Sequence, residues 1–351
     1  MPPTKWFIAL LCILVATIGC SRKPQEPEDS PGRNLYNFRM DGALFSRDEK
    51  RVLFTGELAG VLNVFIFNIE TGASTPLTKA KTPAYPLSFA LDDRNVLCRS
   101  SPQGESAEHL FRVEAGGAVT DLTPWRGVQS VFYSWATDRR SFYFGSNKDD
   151  RRFLYVYRMD ITDKSYSTVL QTQDMRFAAS SRTGRELALW KYISADKSEL
   201  YLYDFETKTL DKVAPEKGNA VSVPQFFDAG QDLLYYLTNE GSRVLSLVKY
   251  DVQKKVRSPA YTAGQQIAFA RQSSNQRYFV VGVRQGDRLI SRLFDIAGSS
   301  WIEVPINQPS LILDISPSGR YMLYTTGGDA SARDLQLYNL ETREVRKILP
   351  S

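Results

Sequence analysis

An all-β propeller of seven four-stranded blades is the fold this sequence predicts. A recurring phrase, its fixed period and its strand-like alternation are the observations that predict it. The clearest copy of the phrase is Ser316-Pro317-Ser318-Gly319-Arg320-Tyr321-Met322-Leu323-Tyr324: a polar turn, a basic residue, then an alternating apolar strand. Weaker copies begin at Ser46, Ala90, Ala136, Ser181, Asp228 and Gln272, with successive spacings of 44, 46, 45, 47, 44 and 44 residues. A constant period in that range, filled only by short strands and turns, is the signature of one propeller blade per repeat. The repeat overrides the two or three domains that 351 residues would otherwise suggest and assigns 35–351 to one array.

Each unit follows one plan. A first strand ends on an aromatic or aliphatic residue before its turn, as at Phe45, Phe89, Trp135, Phe227 and Ile315. The second strand alternates, as in Val52-Leu53-Phe54, Phe142-Tyr143-Phe144 and Leu234-Tyr235-Tyr236. A variable loop leads to a third strand closing on an aromatic-polar-aliphatic trio, such as Phe67-Asn68-Ile69, Tyr203-Asp204-Phe205 and Tyr338-Asn339-Leu340. Two units read Arg112 and Arg158 at the polar place. Glu-Thr commonly follows, and then a short fourth strand such as Ser74 to Leu77. Asx side chains satisfy local backbone donors and Gly supplies positive φ, so these repeated Asp, Asn, Thr and Gly residues are turn formers. Blade interfaces favour flat, β-forming side chains, which suits an aromatic content of 12% with 18 Tyr and 19 Phe.

The phrase S-P-x-G-[KR]-x-[LM]-x-[YF], followed by L-[YF]-x-[YF]-[DN]-x-E-T, resembles the PD40 or WD40-like repeat. That repeat builds the propellers of TolB proteins and of prolyl oligopeptidase-type enzymes. The resemblance implies a propeller and leaves function open. TolB proteins carry six such blades behind a separate N-terminal α/β domain. Seven units, and the short stretch from Arg33 to the first strand, predict a different domain plan here.

The N-terminus reads as a processing segment over 1–19. Lys5 supplies a positive n-region, and Trp6 to Ile18 is an apolar run of about thirteen residues, below the roughly 20 needed to span a bilayer. Thr17-Ile18-Gly19-Cys20 resembles the lipobox of bacterial lipoproteins, with Thr17 at the place of the usual Leu. The resemblance implies that Cys20 becomes the lipidated N-terminus. Ser21 rather than Asp then implies the outer membrane, with the protein facing the periplasm. A plain cleaved signal peptide and a retained membrane anchor are the competing readings. Ser21 to Arg33 holds three Pro, many charges and no large apolar residue, so 20–34 is read as the lipidated Cys and a flexible tether. Of the three Cys, only Cys98 lies in the array, on an apolar strand, where a lone Cys acts as a small buried hydrophobe.

The formal charge of +5, or +4 without Lys5, is mild and predicts no nucleic-acid partner. No G-x-S-x-G motif occurs. The single His, His109, is read as a strand-edge surface residue and rules out a His-rich metal site, though an all-oxygen calcium site stays open. The five Trp do not recur in phase, unlike those of quinone-cofactor propellers. No catalytic residue, cofactor or metal is assigned.

Function is therefore expected on loops, where strands two and three connect and where blades connect. The candidates for partner binding are Trp125, Arg126, Lys148, Arg151, Arg152, Lys191, Tyr192, Arg243, Arg284, Arg288 and Arg333, because aromatic residues with Arg make protein-binding hot spots. Arg271 stands where most units have an apolar residue, through either a channel-facing role or a register shift. The expectation is a monomeric, non-enzymatic, lipid-anchored binding scaffold for an envelope protein or polymer. The alternative is a hydrolase or lyase acting on a saccharide or peptide through converging channel carboxylates.

Overall fold

The computed structural model describes residues 43–348 except 139, 182, 229–231, 262–264, 274, 287, 305–309 and 327–333. The leader, Cys20, the tether and Arg333 lie outside the described residues.

Seven four-stranded sheets follow one another, with no helix among the described residues. Blade 1 is β1 (Ala43–Phe45), β2 (Arg51–Leu58), β3 (Val61–Asn68) and β4 (Ser74–Pro76). Blade 2 is β5 (Ala84–Phe89), β6 (Asn95–Ser100), β7 (His109–Glu114) and β8 (Val119–Asp121). Blade 3 is β9 (Ser130–Trp135), β10 (Ser141–Ser146), β11 (Tyr155–Asp160) and β12 (Tyr166–Leu170). Blade 4 is β13 (Met175–Ser180), β14 (Glu186–Ser194), β15 (Lys197–Asp204) and β16 (Thr209–Ala214). Blade 5 is β17 (Ser222–Phe227), β18 (Leu233–Thr238), β19 (Ser246–Asp251) and β20 (Val256–Tyr261). Blade 6 is β21 (Ile267–Gln272), β22 (Tyr278–Gln285), β23 (Arg288–Asp295) and β24 (Ser300–Ile302). Blade 7 is β25 (Ser310–Ile315), β26 (Tyr321–Thr326), β27 (Asp334–Asn339) and β28 (Val345–Ile348). Every blade is an antiparallel meander of consecutive strands. The first strands are innermost, since β1 lies against β25 and β5, β9 against β13, and β17 against β13 and β21.

The core sits between blades, which follows from the two-residue side-chain period of a strand. Along β10, Phe142 and Phe144 pack toward blade 2 while Tyr143 packs toward blade 4. Along β18, Leu234 and Tyr236 face blade 4 while Tyr235 and Leu237 face blade 6. Second strands are thus covered on both faces, and they are the continuously apolar segments of the chain. Cys98 is part of this packing between blades 1 and 2, and burial pushes its thiol well above the ordinary range.

The turns confirm the turn-former reading. Asn68, Asp204, Asp295 and Asn339 each accept two backbone N–H bonds from the residues just after them through one side-chain oxygen. In blade 3 that place belongs to Asp160, which accepts from Thr162, and in blade 2 to Glu114. Arg112 and Arg158 are therefore two residues away from the polar place the sequence assigned them. Arg112 instead donates to the Ile161 carbonyl of the next blade at 2.9 Å, and Arg158 pairs with Asp138 at 2.6 Å.

The turn between first and second strands also has a fixed geometry. Ser46, Ala90, Ala136, Ser181, Asp228, Ser273 and Ser316 each donate their N–H to the carbonyl five residues on. The copy in blade 6 therefore starts at Ser273, one residue after the Gln272 of the sequence phrase. The inner strand of blade 6 also carries its β-bulge at a different place. Inner strands of blades 2 to 5 and 7 bulge at Leu87, Tyr133, Ala178, Gln225 and Leu313, three residues before the turn. Blade 6 bulges at Ala268, five before it. The oddity at Arg271 is thus a register effect: Arg271 pairs with Val280 just as Asp314 pairs with Leu323 in the next blade.

Among the described residues, blade 7 meets blade 1 without exchanging a strand. Asp314 Oδ2 accepts the Phe45 N–H at 3.0 Å, Ser318 Oγ donates to Glu49 at 2.6 Å, and Arg346 donates to the Ile69 carbonyl at 2.6 Å. A single apolar cluster runs through blades 6, 7 and 1 beneath these bonds. Gly282 on β22 belongs to the same region, and a methyl group there would penetrate the Phe269 ring. Gly282→Ala is expected to lower stability by about 1–3 kcal/mol through overpacking, read as a lower denaturant midpoint.

Candidate functional site

Loops between second and third strands share a face with the linkers between blades. Backbone bonds join Asn147 to Gln129, Asn239 to Val221 and Arg284 to Gln266, each a residue at or just past the end of a second strand held by the linker entering its own blade. The described candidates therefore lie on one rim, and seven of them gather on blades 2 to 4.

At the junction of blades 2 and 3, Lys148 is enclosed by aromatic rings. Its Nζ lies 5.6 Å from the Trp125 ring centre, 5.1 Å from Tyr157 and 5.0 Å from Tyr166. It also pairs with Asp149, whose other oxygen accepts the Tyr157 hydroxyl at 2.8 Å. The Lys148 ammonium and then that hydroxyl hold the Asp149 carboxyl below its ordinary range. Burial, reinforced by the carboxylate, raises the Tyr157 phenol above its own. Trp125 lies against Phe144 with rings 6.4 Å apart and nearly parallel, so the cage stands on the core between blades 2 and 3. A cation over several ring faces is held electrostatically as well as by packing. Lys148 is thereby fixed in the rim.

Arg151 and Arg152 have different roles. Arg151 donates to the Gly127 and Arg126 carbonyls at 2.6 and 3.4 Å, which fixes the blade 2–3 linker in place. Arg152 reaches outward, gripped on two edges by Asp150 at 3.0 and 2.7 Å, with its side chain 75% exposed. That pairing holds the Asp150 carboxyl below its ordinary range.

Arg152 borders a cleft of about 410 Å³ between blades 3 and 4. Phe153 and Leu154 continue the wall from blade 3, Asp174 and Arg176 come from the start of the inner strand of blade 4, and Trp190, Lys191, Tyr192 and Ile193 come from the end of β14. The register of β14 and β15 slips between Tyr192 and Ser194. Ile193 is the residue passed over, and it is 44% exposed. A bulge that re-aims a side chain is common beside sites.

Arg243, Arg284 and Arg288 lie on the same rim in blades 5 and 6, away from the cleft. Arg284 and Arg288 flank the hairpin tip of blade 6, where Gln285 pairs with Arg288. Sequence reasoning missed Tyr157, Tyr166, Arg176 and Ile193. Tyr157 and Tyr166 look like ordinary strand aromatics, and nothing in the sequence marks the slip that exposes Ile193.

His109 departs from its surface reading. It is 3% exposed, its Nδ1 lies 2.8 Å from Asp121, and its ring stacks on Phe111. Glu105, 3.7 Å from its Nε2, accepts the Gly127 N–H at 2.7 Å, so this group braces the linker that carries Trp125. Among the described residues no set of three or more His, Cys, Asp or Glu is placed to hold a metal ion. Among the described inner-strand residues, Asp314 is the single carboxylate.

No protein family and no curated protein matches this sequence. The fold is similar to several solved structures. A puromycin-hydrolyzing peptidase of Mycobacterium tuberculosis matches with a TM-score of 0.67 at 12% identity, over 93% of this chain and 54% of that one. An oligogalacturonate lyase in complex with manganese matches at 0.64 and 14%, over 88% and 89%. TolB from Acinetobacter baumannii matches at 0.55 and 12%, over 85% and 79%. The chain spans about half the length of the matched peptidases. At these identities the likeness is one of fold, and the chain is a seven-bladed β-propeller with both enzymes and TolB among its structural neighbours.

Proposed function

We propose that this protein is a non-enzymatic, lipid-anchored propeller of the bacterial cell envelope that binds a protein partner through the rim of blades 2 to 4. The observation that supports it most is that one cleft gathers Arg152, Lys191 and Tyr192, while the loop that carries Arg152 is braced by the Lys148–Trp125 cage. Aromatic and basic side chains on a braced surface are what protein recognition uses. The enzymatic alternative, shared with the peptidase and lyase neighbours, needs two converging carboxylates, whereas the described inner strands supply Asp314 alone.

In-cell cross-linking from the rim tests this reading. The double variant Arg152→Glu, Lys191→Glu is expected to lose the adduct that the wild type forms. Arg151 is left intact because it holds the linker backbone. An identical adduct pattern from both proteins overturns the rim assignment.

The anchor is tested separately. Thioether lipidation requires the Cys20 sulfur, and two signals hold a protein on a membrane far more firmly than one chain. Cys20→Ser is expected to yield a soluble periplasmic form or an unprocessed precursor, with the propeller folded. A wild-type protein wholly soluble and without added mass at Cys20 overturns the outer-membrane, periplasm-facing assignment.

A further inference from the structure

We infer that the cleft between blades 3 and 4 accepts an acidic peptide segment carrying an aliphatic side chain. This rests on the scaffold reading of the same rim and specifies the chemistry of its partner. Three cations, Arg152, Arg176 and Lys191, line the cleft against one carboxylate, Asp174. Asp150 offsets part of the Arg152 charge from outside, and the lining stays net positive. That sign selects carboxylates or other anions.

The apolar part of the lining selects among anions. Leu154, Met175 and Ile193 line the same cleft, and the slip in β14 leaves Ile193 open to water. A free phosphate offers such side chains nothing. A uronic-acid saccharide offers ring faces to Tyr192 but no branched apolar group to cover Ile193. A peptide with an acidic residue beside a leucine or isoleucine satisfies both halves of the site. A volume of about 410 Å³ is within the range of sites that bury a small ligand or a few side chains.

The test is fluorescence anisotropy on the soluble propeller with labelled probes. They are a short peptide alternating glutamate and leucine, its glutamine-for-glutamate counterpart, its serine-for-leucine counterpart, an oligogalacturonate and inorganic phosphate as competitor. The glutamate–leucine peptide is expected to bind at least about tenfold more tightly than either counterpart or the oligogalacturonate. Lys191→Glu should erase the preference for glutamate over glutamine, and Ile193→Ser the preference for leucine over serine. Circular dichroism and Trp emission check that both variants fold. Equal binding of the counterparts, tighter binding of oligogalacturonate or phosphate, or no binding of any probe overturns the inference. If no peptide binds while Arg152→Glu, Lys191→Glu still abolishes the cross-linked adduct, the scaffold reading stands and the peptide chemistry fails. If the adduct also persists, the scaffold reading fails with it.

Discussion

Arg271→Met is expected to destabilise the propeller by about 1–3 kcal/mol at neutral pH, because it removes the positive charge that favours the Asp314 carboxylate and the bond to the Ile312 carbonyl. Arg271 and Asp314 occupy equivalent places on adjacent inner strands. Arg271 donates to the Ile312 carbonyl, and Asp314 accepts the N–H groups of Phe45 and Ile315 at 3.0 and 2.9 Å. Both side chains are half-buried on the inner strands. Burial lowers Arg271 to about 10 and raises the Asp314 carboxyl, with Arg271 opposing that rise.

The pH dependence follows from the sign. A carboxyl whose folded value lies above its unfolded value makes stability fall as pH rises between the two. Removing Arg271 raises the folded value further and widens that window upward. The deficit of Arg271→Met should therefore shrink as pH falls from neutrality into the acid range. Arg271→Met combined with Asp314→Asn should recover much of the loss, since the amide oxygen still accepts the Phe45 bond. Denaturant unfolding across pH decides it. A single variant as stable as wild type, or a deficit flat with pH, sinks the pairing.

Phe144→Ala is expected to cost about 3–5 kcal/mol, the usual loss for a fully buried phenylalanine. Phe144 is wholly buried and touches Phe142, Tyr157 and Trp125 with ring centres 5.8, 5.3 and 6.4 Å away. It therefore supports the Lys148 cage from below. Phe144→Leu should regain most of the stability but not the flat surface under Trp125. The result expected is near-native unfolding with an altered Trp emission. If Phe144→Leu leaves emission unchanged, Trp125 does not depend on that ring.

The fold was legible because turn chemistry repeats. Asn68, Asp204 and Asn339 perform one backbone task at one place, so their identity announces it. Register was less legible. The phrase in blade 6 is degraded to Gln272-Ser273-Ser274-Asn275-Gln276, which does not fix where the turn begins, so in the sequence Arg271 loses its equivalence to Asp314. Arg112 and Arg158 are misaligned by the sequence because Phe111-Arg112-Val113 and Tyr157-Arg158-Met159 imitate the aromatic-polar-aliphatic trio two residues before the turn. On the rim, sequence found residues whose chemistry is conspicuous, such as Lys148, Arg152 and Lys191. It missed Tyr157, Tyr166 and Ile193, which become notable only when separate strands meet or a ladder slips.

The closure between blades 7 and 1 governs how the ring responds to load. The described array begins in β1, a three-residue strand paired with β2 along one edge. Tension entering at Ala43 would peel that strand bond by bond instead of shearing the whole sheet at once. Resistance then falls on the Phe45 contacts with Asp314 and Tyr321 and on the Glu49–Ser318 link, which couple β1 and its turn sideways into blade 7. A pull from the N-terminus should open the ring at this seam at low force, while the inner blades, each loaded only through its neighbours, stay assembled.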